Sequence, residues 1–187
     1  MTTNTKIPGA TQLLDPAKIL ADELELSAGD QVADLGCGAA GYFTLQAAKL
    51  VGTQGHIWAV DVLKSVLASV ASRAKIEGLG NITTVWSNLE VYGATKLHDG
   101  ALDAAIVNNV LHQNSDPEKI LKEAFRLLKT GGKLLVVEWK TGRFPLGPAA
   151  QEKVPLDLVK TLGRSLGLKE LKQFDPSPYH YGLIFVK

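Results

Sequence analysis

The chain has 187 residues, of which 45% are hydrophobic and 21% are charged. These proportions are those of a globular domain and argue against wholesale disorder. Lysine plus arginine (20) against aspartate plus glutamate (19) leaves a formal net charge of +1. Charge alone therefore gives no reason to expect a nucleic acid or an anionic membrane as a partner. The single cysteine excludes an intramolecular disulfide and a metal cluster held by several cysteines.

No part of the sequence has the pattern of a targeting or membrane-spanning segment. No apolar run approaches the ~18 residues that a spanning helix needs, and the polar stretch 1–12 lacks the apolar core of a secretory signal. We therefore expect a cytoplasmic protein without a membrane span, folded as a single domain over 1–187. Within it we expect a flexible tail at 1–12, a core at 13–140, and a loop, a helix and C-terminal strands at 141–187.

The first half of the chain alternates predicted helices and strands. Asp15-Pro16 is typical of an N-cap followed by the first helical residue, and it predicts a helix that runs to about Leu26. A short apolar strand at 31–35 then leads into a glycine-rich turn. The next predicted elements are a helix at 42–50, a strand at 56–60, a helix at 63–77 and a strand at 82–86.

The second half continues this alternation and then departs from it. It predicts a strand at 101–107, a helix from Asp116-Pro117 to Leu128 that Gly131-Gly132 stops, and a strand at 133–138. Strands and helices at this spacing predict parallel β-α-β units with right-handed crossovers. A loop over one end of the sheet at 143–155 precedes a helix at 156–166. Two strand-like runs, 169–174 and 181–187, follow, and the short link between them predicts antiparallel pairing.

A glycine-rich turn follows the first predicted strand and opens the next helix. Gly36, Gly38 and Gly41 have the G-x-G-x-x-G spacing that lets a backbone turn tightly and approach a ligand closely. Asp61 lies twenty residues beyond Gly41 at the end of the next strand, where a carboxylate accepts hydrogen bonds from both ribose hydroxyls of an adenosine. The alternative is a plain tight turn and a surface aspartate. The combined spacing favours an adenosine site.

The position of Asp34 indicates which adenosine ligand fits this turn. An acidic side chain beside the N-terminus of the helix would repel the pyrophosphate of a dinucleotide. S-adenosylmethionine instead carries an ammonium and a sulfonium group. Asp34 therefore favours S-adenosylmethionine over a nicotinamide dinucleotide.

The run VADLGCGAAGYFTLQAAKLVG, followed by GHIWAVDV, resembles the nucleotide-binding half of class I S-adenosylmethionine-dependent methyltransferases. LDAAIVNNVLHQ and ILKEAFRLLKTGGKLLVVEWK continue the resemblance, which covers about 13–140. The chain is similar to the type-11 group, which includes ubiquinone and menaquinone biosynthesis methyltransferases. The resemblance implies a three-layer α/β fold with a Rossmann-like, doubly wound sheet of seven strands, mostly parallel with the last strand antiparallel.

The resemblance also implies that S-adenosyl-L-methionine is the methyl donor, that S-adenosyl-L-homocysteine is its product, and that no metal is needed. The donor-binding residues that it implies lie in the glycine turn and at the ends of the first four strands: Asp34, Gly36, Cys37, Gly38, Gly41, Asp61, Val62, Asn88, Leu89 and Asn108. Many relatives have aspartate at the Asn88 position, and an uncharged amide should hold the adenine amino group more weakly. A helix N-terminus beside Cys37 favours a lowered thiol pKa, but we interpret Cys37 as a residue of the turn without a chemical role.

Methyl transfer from a sulfonium requires alignment and exclusion of water, and it requires a general base only when the acceptor must lose a proton. Two candidate catalytic residues follow predicted strands. His112 is a base or a substrate contact, or else an ordinary loop histidine. Glu138 orients a substrate, or else forms a salt bridge with a lysine or arginine. Asn108 and Asn109 end an apolar strand, where their amides need a ligand or the loop backbone as partners.

Four aromatic residues complete the interpretation. Trp58 and Trp86 fall in predicted strands, where we expect them in the core. Tyr179 and His180 precede the last strand, where they either close over the site or only belong to a hairpin.

We predict in-line transfer of a methyl group to a small-molecule acceptor. The expected pocket lies between the N-terminal helix, the ends of the fourth and fifth strands, and the loop at 143–155. An RNA or protein methyltransferase is the first alternative, but it needs a basic surface that the sequence does not show. A non-catalytic S-adenosylmethionine-binding partner subunit is the alternative of another class. An NAD-dependent oxidoreductase is disfavoured by Asp34 and by the lack of a Tyr-x-x-x-Lys pair.

Overall fold

A sheet of seven strands runs through the computed structural model, which describes residues 14–187, so that the expected tail at 1–12 lies outside the described residues. The strand order is β3-β2-β1-β4-β5-β7-β6. Neighbours among β1 to β5 are parallel, and β7 runs antiparallel to both β5 and β6. The predicted doubly wound α/β sheet with an antiparallel last strand is confirmed. The strands are β1 (Gln31–Leu35), β2 (His56–Asp61), β3 (Ile82–Trp86), β4 (Leu102–Asn108), β5 (Leu128–Trp139), β6 (Lys169–Ser177) and β7 (His180–Val186).

Helices cover both faces of the sheet. They are α1 (Pro16–Lys18), which continues as a π-helical segment at Ile19–Glu23, then α2 (Tyr42–Val51), α3 (Lys64–Ile76), α4 (Pro117–Leu127) and α5 (Leu156–Ser165), with a short 3-10 turn at Leu111–Gln113. Successive residues of a strand point to opposite faces. In β4, Ile106 packs in one core with the first helix and α2, and Val107 packs in another core with α4 and α5.

The first helix is shorter than predicted. Its N-cap is as expected, because the Asp15 side chain accepts a hydrogen bond from a backbone N–H of the first turn at 3.1 Å. From Ile19 it continues as a π-helix, and its last residue is Glu23 rather than Leu26. The Leu24 N–H donates to the Ile19 carbonyl, five residues back, and both side chains are buried. The wider turn keeps these two apolar side chains in the core.

The junction between α4 and β5 also differs from its prediction. α4 ends directly before β5 begins, so Gly131-Gly132 lies inside β5 and does not stop the helix. The Gly131 N–H donates to the Lys187 carbonyl at 2.8 Å. The Lys187 ammonium donates to the carbonyl oxygens of Phe125 and Leu128 at 2.8 and 2.7 Å. A distant lysine therefore supplies the donors that the end of a helix needs.

The topology decides where a ligand can bind. Parallel strands place their carboxyl ends at one edge of the sheet, so the residues that follow β1 to β5 converge there. Within residues 14–187, no helix has the length and apolar character required to cross a membrane. No three histidine, cysteine, aspartate or glutamate side chains of these residues are grouped so that they could hold a metal ion.

Candidate functional site

A cavity of about 570 Å³ opens at the carboxyl edge of the sheet. Its volume falls within the ~300–1,000 Å³ typical of small-molecule sites. Most of the donor-binding residues implied by the resemblance line it: Gly36, Cys37, Gly38, Asp61, Val62, Asn88, Leu89 and Asn108. The other two, Asp34 and Gly41, border a smaller cavity of about 150 Å³ beside the glycine turn, which Asn108 also lines. The structure thus brings all ten residues together.

The N-terminal helix does not bound this cavity, contrary to the prediction. No residue of 16–23 lines it. The first helix instead buries Ile19 and Leu20 in the core that it shares with α2. The remaining expected boundaries are present, since residues after β4, Trp139 at the end of β5, and Gly147 and Pro148 of the loop all line the cavity.

The glycine turn is shaped by packing on one side and by the cavity on the other. Gly36 has φ +83°, and a Cβ there would lie 2.4 Å from a methyl carbon of Val110. At Gly38 (φ +64°) a Cβ would meet no atom within 4 Å. The N–H groups of Gly36 and Cys37 both donate to the Val60 carbonyl, at 2.8 and 3.0 Å. The turn is therefore held firmly against β2 while the backbone at Gly38 leaves space for a ligand.

Asp61 is fixed at the mouth of the cavity by two backbone groups. Its Oδ2 accepts a hydrogen bond from the Gly38 N–H at 3.3 Å, and its Oδ1 accepts one from the Leu63 N–H at 2.9 Å. An ionised carboxylate has about four lone-pair sites. Asp61 therefore keeps acceptor capacity for a pair of ligand hydroxyls.

Asp34 is buried beneath the turn. Its Oδ2 accepts a hydrogen bond from the Thr44 hydroxyl at 2.6 Å. Burial raises the pKa of Asp34 to about 6, although the hydrogen bonds from Thr44 oppose the shift. A ligand cation beside this carboxylate would favour its ionised form.

Cys37 is buried and lines the cavity. Burial raises the pKa of its thiol, and the nearby charges of Asp34 and Asp61 raise it further. The net direction is opposite to the lowering that the sequence favours, and the thiol stays protonated at neutral pH.

The loop after β3 forms part of the wall of the cavity, which Ser87, Asn88 and Leu89 line. Leu89 is buried, and the Asn88 Oδ1 accepts a hydrogen bond from the Glu90 N–H at 3.0 Å. Trp86, predicted in the core, is instead 55% exposed, and its Nε1–H donates to the Val62 carbonyl at 2.8 Å. Trp86 is the last residue of β3, an edge strand, so it lies at a corner of the sheet where few neighbours cover its ring. Trp58, on the inner strand β2, packs against the core as expected.

Glu123 on α4 holds this loop, and the sequence analysis missed it. Its fully buried carboxylate accepts hydrogen bonds from the N–H groups of Gly93 and Thr95 at 2.8 and 3.1 Å. The Arg126 guanidinium donates to the same carboxylate at 3.0 and 2.7 Å. Burial alone would raise the pKa of Glu123, but these hydrogen bonds outweigh it and lower the pKa. An acid three residues before an arginine on a predicted helix was the available signal, but it is equally typical of an exposed ion pair.

His112 and Glu138 form a pair at the end of β4 and β5. The His112 Nδ1 lies 2.9 Å from the Glu138 Oε2, and the Leu111 N–H donates to the Oε1 at 2.7 Å. His112 lines the cavity, whereas Glu138 is fully buried behind it and does not. Glu138 therefore forms the salt bridge that was one of its two alternatives, but the partner is a histidine and not a lysine or arginine. Because the carboxylate accepts from Nδ1, the Nε2 atom is the one left to accept a proton from a ligand.

Asn108 ends β4 and Asn109 follows it, and both side chains have amide atoms without a hydrogen-bond partner among the described residues. In the described part of the chain, the Asn108 Oδ1 and both the Oδ1 and Nδ2 atoms of Asn109 are buried and have no hydrogen-bond partner. The sequence offered two partners for these amides, a ligand or the loop backbone. These atoms do not use the loop backbone. Ordered water or a bound ligand is the remaining source of partners.

The loop that follows β5 lines the cavity beside Trp139, through Gly147 and Pro148. A Cβ at Gly147 would lie 2.7 Å from ring atoms of the buried Trp139. The ring centroid of His180 lies 4.1 Å from that of Trp139. The His180 ring is fully buried, and its burial lowers the pKa to about 4, so it supports Trp139 as a neutral ring. Tyr179 contacts Phe144 of the loop instead, with ring centroids 5.4 Å apart.

Comparison with known proteins agrees with this geometry. The family model described as a methyltransferase domain matches residues 26–163. The ubiquinone/menaquinone biosynthesis C-methyltransferase UbiE of Pasteurella multocida is 36% identical over 114 residues, which are 59% of this chain and 40% of that protein. The same enzyme of Vibrio campbellii is 34% identical over 112 residues, which are 59% and 42% of the two chains. The matched part thus spans about 40% of the length of these curated relatives.

A solved structure matches over nearly its whole length. The S-adenosylmethionine-dependent methyltransferase from Aquifex aeolicus superposes with a TM-score of 0.85 at 26% identity, covering 96% of this chain and 93% of that one. A putative type 11 methyltransferase from Sulfolobus solfataricus, at 20% identity and a TM-score of 0.74, covers 94% and 93% and shares the fold. These matches confirm the resemblance noted in the sequence. The chain belongs to the methyltransferase-domain family.

Proposed function

We propose that this protein binds S-adenosyl-L-methionine, transfers its methyl group to a small-molecule acceptor, releases S-adenosyl-L-homocysteine, and does so as one domain. A single observation carries the proposal: the carboxyl ends of four strands bring the residues expected to bind the donor to one cavity, and His112 lines the same cavity. The family match supports it, as do relatives named for C-methylation in quinone biosynthesis.

The residues fit the donor group by group. Asp34 and the unpartnered Asn108 Oδ1 offer acceptor oxygens beside the glycine turn, where an amino acid ammonium would be held. Asp61 has the acceptor capacity to hold a ribose. Val62, Asn88 and Leu89, which follow β2 and β3, would border the adenine.

When bound, S-adenosylmethionine supplies a methyl carbon on a positive sulfur, and the carbon–sulfur bond breaks with its electron pair returning to sulfur as the acceptor attacks. His112 would act as the catalytic base, since it lines a ligand-sized cavity and, in the described part of the chain, its Nε2 makes no hydrogen bond. It takes the proton that an acceptor hydroxyl loses, and the positive charge passes to the imidazole. Glu138 acts through His112 as a positioning residue, because it holds the Nδ1–H and stabilises the imidazolium.

Titration calorimetry with S-adenosylmethionine, S-adenosylhomocysteine and NAD tests the donor site. Micromolar affinity for the first two without NAD binding is the expected result. Binding of NAD alone would refute the donor assignment, and binding of none of the three would refute the proposal as a whole.

Variants then separate catalysis from binding. We expect His112→Gln to leave the affinity for S-adenosylhomocysteine unchanged and to abolish methyl transfer to a hydroxylated acceptor. His98→Gln, a change of an exposed histidine outside the cavity, is the control and should alter neither. Full activity of the His112 variant would assign the base elsewhere, and loss of donor affinity would assign His112 to the donor.

A further inference from the structure

Asn109 has an unusual backbone that is held in place from both sides. Its φ of +55° lies in the left-handed region, which among the described non-glycine residues it shares only with Glu25. Its N–H donates to the Val137 carbonyl at 2.8 Å, and its carbonyl accepts a hydrogen bond from the Gln113 side chain at 2.6 Å. The backbone groups of Asn109 are therefore satisfied, and the residue sits rigidly between β4 and β5.

Unlike its backbone groups, the side-chain amide of Asn109 is not hydrogen-bonded in the described chain. Both amide atoms are buried, and neither has a partner in the described chain. A buried amide without hydrogen bonds is destabilising, and glycine would satisfy the same backbone with less strain. An asparagine with a buried, unpaired amide at a strained position is typical of a residue that binds a ligand.

The place of Asn109 assigns it to the acceptor and not to the donor. It lines the large cavity together with His112, but it does not border the smaller cavity of Asp34 and Asn108. Its backbone bond to β5 puts it on the far side of β4 from β1, β2 and β3, which carry the other donor residues. Val110, Trp139 and Pro148 give this end of the cavity apolar walls suited to a ring.

A carboxamide presents one acceptor and one donor side by side. We infer that Asn109 recognises the methyl acceptor through a pair of hydrogen bonds, and that the acceptor carries two hydroxyls on adjacent carbons of an aromatic ring. One hydroxyl donates to Oδ1, and Nδ2 donates to the oxygen of the second, whose own O–H is left to donate to His112. A carboxylate offers no donor to Oδ1, and a lone phenol leaves one amide atom unpaired. This inference rests on the proposed function, through the role of His112.

When His112 takes the proton of the second hydroxyl, the oxygen of that hydroxyl and the ring carbons conjugated with it become nucleophilic. The pairing with Asn109 therefore sets which hydroxyl faces His112, and mass spectrometry with NMR of the product identifies the methylated atom.

The test measures binding to the wild-type protein saturated with S-adenosylhomocysteine. The probes are 1,2-dihydroxybenzene, 1,3-dihydroxybenzene and phenol. We expect the 1,2 isomer to bind about tenfold or more tightly than the other two, because only its oxygens reach both amide atoms at once. The Asn109→Gly variant keeps the backbone conformation and should remove this preference, because the 1,2 isomer loses two hydrogen bonds whereas phenol loses at most one. Glu25→Gly places glycine at the other left-handed position, outside the cavity, and should bind all three probes as the wild type does.

Equal affinity of the wild-type protein for the three probes would overturn the inference. So would a preference for the 1,2 isomer that persists in Asn109→Gly, or a loss of S-adenosylhomocysteine affinity in that variant. Failure of the proposed function is distinguishable, since it shows as absence of S-adenosylhomocysteine binding in the wild type before any probe is added. Urea unfolding of Asn109→Gly checks that the variant is folded.

Discussion

The two ends of the cavity, which we propose hold the methyl donor and the methyl acceptor, are built differently. At the donor end, after β1, β2 and β3, the polar side chains are held by neighbouring backbone: Asp61 by Gly38 and Leu63, and Asn88 by Glu90. At the acceptor end, His112 pairs with an acid 26 residues away, and both amide atoms of Asn109 are unpaired in the described chain. Apart from Asn108, the proposed donor end is thus preformed by hydrogen bonds to backbone groups, whereas in the described residues the proposed acceptor end keeps unpaired side-chain atoms for its ligand. Substitutions of acceptor residues should therefore leave donor affinity unchanged. Substitutions that weaken the donor end should lie outside the acceptor end.

The largest effect is expected where the donor end depends on a distant helix. Glu123→Ala leaves the Arg126 guanidinium buried without its main partner and frees the loop that carries Asn88. Breaking a buried ion pair in this way is destabilising by about 3–5 kcal/mol. Urea unfolding measures the change. Lys49→Ala removes the exposed pair with Glu77 and should change the free energy of unfolding by less than about 1 kcal/mol. Similar effects of the two substitutions would show that the loop does not depend on α4.

The next largest effect belongs to the acceptor end alone. Glu138→Gln keeps the shape of the side chain but removes the charge that stabilises a protonated His112, so we expect the rate of methyl transfer to 1,2-dihydroxybenzene to fall about 100-fold. The rate should recover in part as the pH rises, because a hydroxyl that ionises in solution no longer needs a base. Calorimetry should find unchanged affinity for S-adenosylhomocysteine. A parallel loss of donor affinity would contradict the separation of the two ends.

Asp61→Ala tests the donor end, whereas the preceding substitution tests the acceptor end. Loss of two hydrogen bonds to the ribose should weaken the binding of S-adenosylhomocysteine by about 1–3 kcal/mol. Asp157→Ala, which removes an exposed carboxylate on α5, is the matched control and should bind as the wild type does. Unchanged donor affinity in Asp61→Ala would refute the assignment of Asp61 to the ribose.

The smallest effect concerns pH. Burial raises the pKa of Asp34 from 3.8 to about 6, so its contribution to the stability of the free protein is fully present below pH 3.8 and is lost as the pH rises through 6. Donor affinity has the opposite trend, because an ammonium prefers the ionised carboxylate. It should increase about tenfold from pH 5 to pH 7, with release of a proton on binding. Calorimetry in two buffers of different ionisation enthalpy measures both quantities. Asp34→Asn should bind independently of pH over this range, and a wild-type affinity that is equally flat would assign the ammonium to another group.

The positions of the residues at the proposed donor end could be predicted because their sequence signals are local. The glycine spacing, Asp34 and Asp61 all lie within one β-α-β unit, where strand ends and turns follow directly from the residue pattern. Glu123 and Glu138 could not be assigned, because each acts on a segment that only the folded sheet brings near. The exposure of Trp86 depends on β3 being an edge strand, which is a property of strand order and not of the strand's own sequence. Gly131-Gly132 misled the prediction of a helix end, since Lys187 supplies that cap from a distant strand.

The contact between Gly36 and Val110 has a consequence for the order of events at the site. A methyl carbon of Val110 packs so closely on the glycine turn that no side chain fits at Gly36. Val110 is also the link between Asn109 and the short helical turn that bears His112. Any shift of this segment when an acceptor binds is therefore transmitted to the turn that would hold the donor. Since such coupling is reciprocal, each ligand should change the affinity of the other by the same factor, whichever of them binds first.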